Sequence, residues 1–291
     1  MKKFNSENIK DFVSKPLFDE KVILNKDSSW PKISIVTPSY NQGEFLERTI
    51  LSVLNQNYPN LEYIIIDGGS TDRSVEIIKK YEKYLTYWVS EKDNGISDAF
   101  NKGISHSNGE IIGIINSDDW YEPEAIKNIV NCYMGNIDKD VFHGDMRFYI
   151  DNRYLFTIKP DTNYKRIKIE MILNHPTCFV KRDTYLKYGL FKKDYKIAMD
   201  YELMLRFYLL GCKFFYIPKI IANMSFEGIS DRKALEGSKE VLKIQYSYNL
   251  NKIISFHHYL KRCFKYYIKK ILGKDNVILQ LYRKSSIRKS I

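Results

Sequence analysis

Residues 33–72 read ISIVTPSYNQGEFLERTILSVLNQNYPNLEYIIIDGGSTD, and this stretch decides the fold. It opens on Ile33–Thr37, an apolar run rich in β-branched residues. Phe45, Ile50, Val53 and Leu54 then recur at helical spacing, and Tyr63–Ile66 is a second β-rich run. The same alternation continues downstream. Val75, Ile77, Ile78 and Tyr81 mark a helix face, Tyr87–Val89 a strand, Ile96 to Ile104 a helix and Ile111–Ile115 a further strand. Strand and helix in alternation predict right-handed βαβ units around a parallel sheet. Ligands of such sheets sit at the carboxyl ends of the strands, so the residues that follow each strand are the candidates for function.

Beyond Pro123 the pattern predicts a helix to about Met134, a strand at Val141–His143, and a hairpin of Met146–Tyr149 with Tyr154–Ile158 through Asp151 and Asn152. A helix is expected at about 165–173, a strand at Thr177–Val180, and a helix at Arg182–Tyr188 closed by Gly189. Met199, Leu203, Phe207 and Leu210 give one apolar helix face that stops at Gly211, and Lys213–Ile217 reads as the last strand. The chain is helical from about residue 233. The expected organisation is an N-terminal arm (1–30), an α/β domain (31–230) and a helical basic extension (231–291).

The 291 residues suffice for one large α/β domain with an appendage, and an aromatic content of 14% is too high for a disordered chain. Cys132, Cys178, Cys212 and Cys263 are far apart and form no CxxC pair, which argues against a disulfide framework or zinc site and fits a reducing compartment. MKKFNSENIKDF lacks the apolar segment of a signal peptide, and no run of apolar residues is long enough to span a bilayer. A cytoplasmic location is the expectation. The net charge of +11 is uneven: from Tyr246 to the end, Lys252, Lys261, Arg262, Lys265, Lys269, Lys270, Lys274, Arg283, Lys284, Arg288 and Lys289 face Asp275 alone. Such a segment calls for an anionic partner.

The strand ends carry the chemistry. After the first comes Thr37-Pro38-Ser39-Tyr40-Asn41, which alone is a plain strand-to-helix turn. After the second comes Asp67-Gly68-Gly69-Ser70-Thr71-Asp72. Here a carboxylate can accept from a base or ribose, glycines permit close backbone approach, and Ser70 or Thr71 can cap the next helix. The spacing is neither GxGxxG nor a Walker A loop. After the fourth comes Asn116-Ser117-Asp118-Asp119. Adjacent carboxylates either hold a hard divalent cation with oxygen ligands or decorate a helix N-terminus. Asp200 opens the helix of Met199 and Leu203; it lies about 200° from Glu202, so only one of the two can enter a shared site. It is either a general base or an acid complementing the helix dipole. His175, before a short strand, is kept as a phosphate or acceptor contact, although a single histidine is more often structural.

The ordered set ISIVTPSYNQGEFLERTILSVLNQNYPNLEYIIIDGGSTD, EKDNGISDAFNKGI, GEIIGIINSDDW and IAMDYELMLRF resembles the family 2 glycosyltransferases, which have the GT-A fold. Within that family it looks closest to the bacterial branch that builds capsule, exopolysaccharide or lipopolysaccharide, and the resemblance covers about residues 31–220. It implies an inverting hexosyl- or N-acetylhexosaminyl-transferase with a nucleotide diphosphate sugar, by family most often a UDP-sugar, as donor. Thr37, Pro38 and Tyr40 would border the base; Asp67 would bind base or ribose; Asp93, Asp98 and Lys102 would lie near ribose and phosphates. Asp118 and Asp119 would hold manganese or magnesium, and Asp200 would be the catalytic base. The sequence departs from the family where a second aspartate is replaced by Gly68, where Asn116 opens the acid motif, and where Phe100 stands for a common arginine.

Ile253, Ile254, Phe256, Leu260, Phe264, Tyr267, Ile268 and Ile271 fall mostly at three- and four-residue steps among lysines and arginines. This is the pattern of a basic interfacial helix, suited to peripheral contact of residues 246–291 with an anionic membrane and to a lipid-linked saccharide acceptor; packing on the domain or on a dimer partner is the plainer alternative. Two other functions fit parts of the sequence. A nucleotidyltransferase would show a basic glycine-rich loop near the first strand, where TPSYNQGEF has no cation before Arg48. A nucleic-acid-binding protein would put bases, not acids, at its strand ends.

Overall fold

The computed structural model describes residues 6–150, 153–225 and 233–272. The first four strands, β1 (Ile33–Ser39), β2 (Leu61–Asp67), β3 (Tyr87–Ser90) and β4 (Ile111–Ile114), form a parallel sheet in the order β3-β2-β1-β4. Within it Ser39, Asp67 and Ser90 lie side by side, so three chain exits share one rim. Alternation along the strands sends Ile33, Ile35, Tyr63 and Ile65 into a core on one face. Val36, Ile64 and Ile66 enter a second core on the other. Burial on both faces is why these strands read as continuous apolar runs.

Helices α3 (Leu46–Leu54), α4 (Ser74–Tyr81) and α6 (Ala125–Gly135) cover the first face. Helices α5 (Ile96–His106) and α8 (Met199–Leu209) cover the second. Helix α5 presses so closely on β1 that a Cβ at Gly103 would lie 2.2 Å from Val36 Cγ1. The N-terminal residues are docked: α1 (Ser6–Ser14) packs on α3, and α2 (Glu20–Asn25) buries Ile23. Asn55 ties the segment down by donating to the carbonyls of Phe12 and Lys15 and accepting from the Leu17 amide.

The second half completes a mixed sheet. Strands β5 (Trp120–Tyr121), β6 (Val141–Ile150), β7 (Arg153–Ile158), β8 (Phe179–Lys181) and β9 (Phe214–Ser225) extend it as β4-β8-β6-β9-β5, with β7 on β6. Strand β8 is antiparallel to β4 and β6, whereas β6 and β9 run parallel. Helix α7 (Arg182–Tyr188) follows β8 and ends at Gly189, as expected.

Four differences from the sequence reading have physical causes. The strands expected at 141–143 and 146–149 are one strand, because β9 pairs along both with register shifts around Asp145. Strand β9 runs past Pro218; Gly144 pairs with Ile217 and Asp145 with Ile220, so the proline, which lacks an N–H, falls in the irregularity. The helix expected at 165–173 shrinks to a 3-10 turn, Tyr164–Lys168. There the carbonyls of Lys168 and Ile169 accept from Gln245 Nε2 (3.1 and 2.8 Å), which displaces a helical partner. Finally, Thr177 belongs to a 3-10 turn, His175–Thr177, and the strand starts at Phe179. Helices α9 (Ala234–Ser247) and α10 (Lys252–Leu272) close the described chain; the cations expected from Lys274 onward lie outside it.

Candidate active site

The rim begins where β1 and β2 end. The two following loops are latched to each other: the Asn41 amide donates to Ser70 Oγ (2.8 Å), the Thr71 amide to Asn41 Oδ1 (2.9 Å), and the Gly43 amide to Asp72 Oδ2 (2.8 Å). Thr37 is wholly buried beneath this rim, its hydroxyl on Tyr63 Oη, and Pro38 is buried beside it. Tyr40 stands at the mouth, 62% exposed. Asp67 is fully buried and accepts from the Gly69 and Ser70 amides and from the Ser70 and Ser90 hydroxyls. Three of these donors meet Oδ2 and one meets Oδ1, so in this conformation Asp67 shapes the glycine loop.

The space left by the missing side chain at Gly68 is not idle. A Cβ there would lie 2.9 Å from Asp93 Oδ2 and 3.3 Å from Tyr40 Cδ2. The Asp93 carboxylate therefore occupies ground that a side chain at 68 would take; its Oδ1 accepts from the Gly95 amide (2.9 Å). Asp98, in the first turn of α5, is nearly buried and bound by Lys193 Nζ, with the Asn94 amide and Lys102 Nζ (3.8 Å) on its other oxygen. The Lys193 bond holds its carboxyl below the usual range. Lys102 itself bonds Glu91 (2.8 Å).

The acid loop after β4 is gripped by α3. Thr49 Oγ1 donates to the carbonyls of Ser117 (2.9 Å) and Asp119 (2.6 Å). Arg48 Nη2 donates to the Asp118 carbonyl (2.8 Å) and Ser225 Oγ (3.2 Å), and the guanidinium stacks 3.9 Å from the Trp120 ring. Asp118 is half-buried; Asp119 is fully buried. Asn116 Nδ2 donates to Asp119 Oδ2 (3.2 Å), which leaves Asp119 Oδ1 and Asn116 Oδ1 buried without a hydrogen-bond partner. Burial raises the Asp118 carboxyl. Burial and then the neighbouring Asp118 push Asp119 well above its ordinary range, against the pull of Asn116, the Ser225 amide and Arg48. Orphaned oxygens on Asp119 and Asn116, beside the second carboxylate of Asp118, are a costly arrangement that a cation relieves, so these residues fit a divalent metal. Among the described residues no group of three or more His, Cys, Asp or Glu is assembled, so further ligands would come from Asn116, water or a diphosphate.

Asp200 and His175 are brought together. Burial raises the Asp200 carboxyl and the nearby imidazole lowers it; burial depresses His175 and Asp200 opposes this. Asp200 Oδ1 accepts only a local bond from the Tyr201 amide (2.7 Å). His175 lies against Phe100 and Phe191, both 5.8 Å away, and its turn packs on β4 and β6. Glu202 faces elsewhere, as the helical angle requires: it bonds Arg206 twice (3.1 and 3.0 Å), Lys192 (2.9 Å) and Tyr248.

A sequence profile described as Glycosyl transferase family 2 matches residues 34–196, more than half of the chain and including most of the rim. The chain belongs to that family. An uncharacterized glycosyltransferase of Mycobacterium tuberculosis is 30% identical over 210 residues, which is 71% of this glycosyltransferase and 79% of the relative. A chondroitin synthase of Escherichia coli is 31% identical over 216 residues, 68% of this chain and 29% of the synthase. Among solved structures, Staphylococcus aureus TarS 1-349 superposes with a TM-score of 0.60 at 18% identity, covering 86% of this chain and 77% of that one. A mannosyltransferase of Pyrobaculum calidifontis, solved with GDP-Man and Mn2+, gives 0.62 at 15% identity, covering 97% and 86%. The fold is thus the mixed, mostly parallel GT-A type, and the family decides against the nucleotidyltransferase and nucleic-acid readings. No helix of the described residues is long and apolar enough to cross a membrane.

Sequence reasoning missed the residues that hold this glycosyltransferase's site together. Arg48, Thr49, Ser225 and Lys193 lie 68 to 177 positions distant from their partners. Arg48 alone left a signal, as the first cation after β1.

Proposed function

We propose that the enzyme transfers a sugar from a nucleoside diphosphate donor, with UDP the first choice, to a hydroxyl of a saccharide acceptor carried on a lipid, with inversion, in the assembly of a bacterial surface polysaccharide such as capsule or lipopolysaccharide. Residues 31–230 are the catalytic unit in this reading, with 1–30 as an arm and 231–291 as an extension. The observation that carries it is the contrast at the acid loop: Asp119 is fully buried with an oxygen that nothing satisfies, beside the half-buried Asp118.

In this mechanism the rim around Tyr40, Gly68 and Asp93 receives the nucleoside, with Asp67 shaping the loop beneath. Asp98 and Lys102 border the ribose and phosphates. Asp118 and Asp119 would hold Mn2+ or Mg2+, and such a cation would supply positive charge for the donor diphosphate. Asp200 takes the proton of the acceptor hydroxyl as that oxygen attacks the anomeric carbon and the diphosphate leaves from the opposite face. A carboxyl raised by burial is better suited to this than an ordinary one, since its basicity is closer to the operating pH. His175, beside Asp200, keeps the base oriented and contacts donor phosphate or acceptor.

The test is thermal stabilisation by UDP, GDP and their sugars, with and without Mn2+, on the native chain and on Asp118→Asn. Ligands that bind the folded state raise Tm by mass action. A Mn2+-dependent shift with one nucleotide, lost in the variant, is the expected result. Absence of any nucleotide-dependent shift would overturn the donor assignment. Product NMR then reads the anomeric configuration.

A further inference from the structure

Helix α10 is built inside out. Its packed face carries Ser255, His258, Tyr259, Arg262 and Cys263, with Ser255 buried and Arg262 Nη1 reaching the Ile169 carbonyl (3.4 Å). Its outward face carries Ile253, Phe256, Leu260, Phe264 and Tyr267, each between 47% and 83% exposed. At about 100° per residue these five fall within an arc of roughly 80°. That is a continuous apolar seam, and nothing among the described residues covers it. Lys252 flanks the seam on one side, and Lys261 and Lys265 on the other.

We infer that this face of α10 is a docking surface for an anionic lipid bilayer, with the helix lying in the interface plane. Charge selects the occupant. From Tyr246 to Leu272 the sequence contains no Asp or Glu, so a second copy seated seam to seam would bring like charges together with no acid to offset them. Anionic headgroups supply the opposite charge, while the lysine stems reach outward from the edges of the apolar stripe. The inference goes beyond the donor chemistry and does not depend on it.

The experiment is flotation of the full chain with vesicles of phosphatidylcholine alone and of phosphatidylcholine mixed with phosphatidylglycerol. The chain should float with the mixed vesicles, more weakly as salt rises, and not with phosphatidylcholine alone. The double variant Leu260→Ser/Phe264→Ser should keep its Tm, since both side chains are at least half exposed, and lose roughly tenfold or more in partitioning. Lys261→Gln/Lys265→Gln, which leaves the seam intact, should weaken binding to the mixed vesicles. Failure to float with anionic vesicles overturns the inference. Undiminished flotation of the seam variant also does, because the basic residues beyond 272 would then be the ligand. A lipid-free dimer that the seam variant converts to monomer in sedimentation would assign the face to a second copy instead.

Discussion

Asp119→Asn should make the metal-free protein more stable while abolishing its response to metal. The side chain is fully buried, and its carboxyl is raised by desolvation and by Asp118. Asparagine keeps the shape, can still accept from Asn116 Nδ2 through its carbonyl oxygen, and presents an amide where Asp119 Oδ1 has no partner. The effective cost of burying an ion is several kcal/mol; Arg48, the Ser225 amide and Asn116 offset much of it, so a net gain of about 1–2 kcal/mol is reasonable. For a domain of this size that corresponds to a Tm rise of ~2–6 °C at neutral pH. The pH dependence gives an independent sign. A carboxyl raised in the folded state contributes stability below its unfolded pKa and loses it as pH rises through the folded value. The metal-free native chain should therefore lose stability from mildly acid pH toward neutrality, and the variant should lose less. Mn2+ should raise the native Tm near neutrality, since a bound cation favours the ionised carboxylates, and leave the variant unmoved. Calorimetric scans across pH, with EDTA or Mn2+, read all of this. A variant that is less stable than the native chain at neutral pH, or that is stabilised equally by Mn2+, would refute the account of the acid loop.

Three further outcomes follow from the same contacts. Asp200→Asn should lower kcat by roughly 10²–10⁴ with KM and donor-induced stabilisation nearly unchanged; in the native enzyme the acid limb of the kcat profile should lie above the ordinary carboxylate range, because burial raises this group. Glu202→Gln should instead cost stability, about 2–4 kcal/mol by denaturant unfolding, since its bonds to Arg206, Lys192 and Tyr248 hold a carboxyl that burial alone would raise below its usual range. Gly68→Ala should displace Asp93, 2.9 Å from the added Cβ, and weaken nucleotide binding several-fold in calorimetric titration with little change in Tm.

The strands and helices of the first half were legible because β1, β2 and β4 are buried on both faces, which writes the sheet directly into runs such as Tyr63–Ile66. The second half was less so. The 3-10 turn at Tyr164–Lys168 is decided by Gln245, whose reach across the fold no local pattern announces. The two-residue β5 exists only because β9 passes beside it, and β9 itself continues past Ile217 through an irregularity at Pro218. At the site, the residue types at strand ends showed in the sequence. Their bonding state did not, because Lys193 on Asp98 and Ser90 on Asp67 arrive from other elements.

That bonding state divides the carboxylates. Asp67, Asp98 and Glu202 each have three or more donors from within the protein. A ligand reaching them must displace a bond worth about 1–3 kcal/mol, so direct contact there is bought at a loss. Asp93, Asp119 and Asp200 keep oxygens that the protein does not saturate: one faces Gly68, one is orphaned in the acid loop, one has only the Tyr201 amide. The folded chain thus retains unsatisfied acceptors at three stations along one domain, with Asp119 fully buried and Asp93 and Asp200 half-buried. Buried acids left short of donors are rare unless something outside the chain completes them. A nucleoside at the first, a cation at the second and an acceptor proton at the third would complete them in the order that sugar transfer requires.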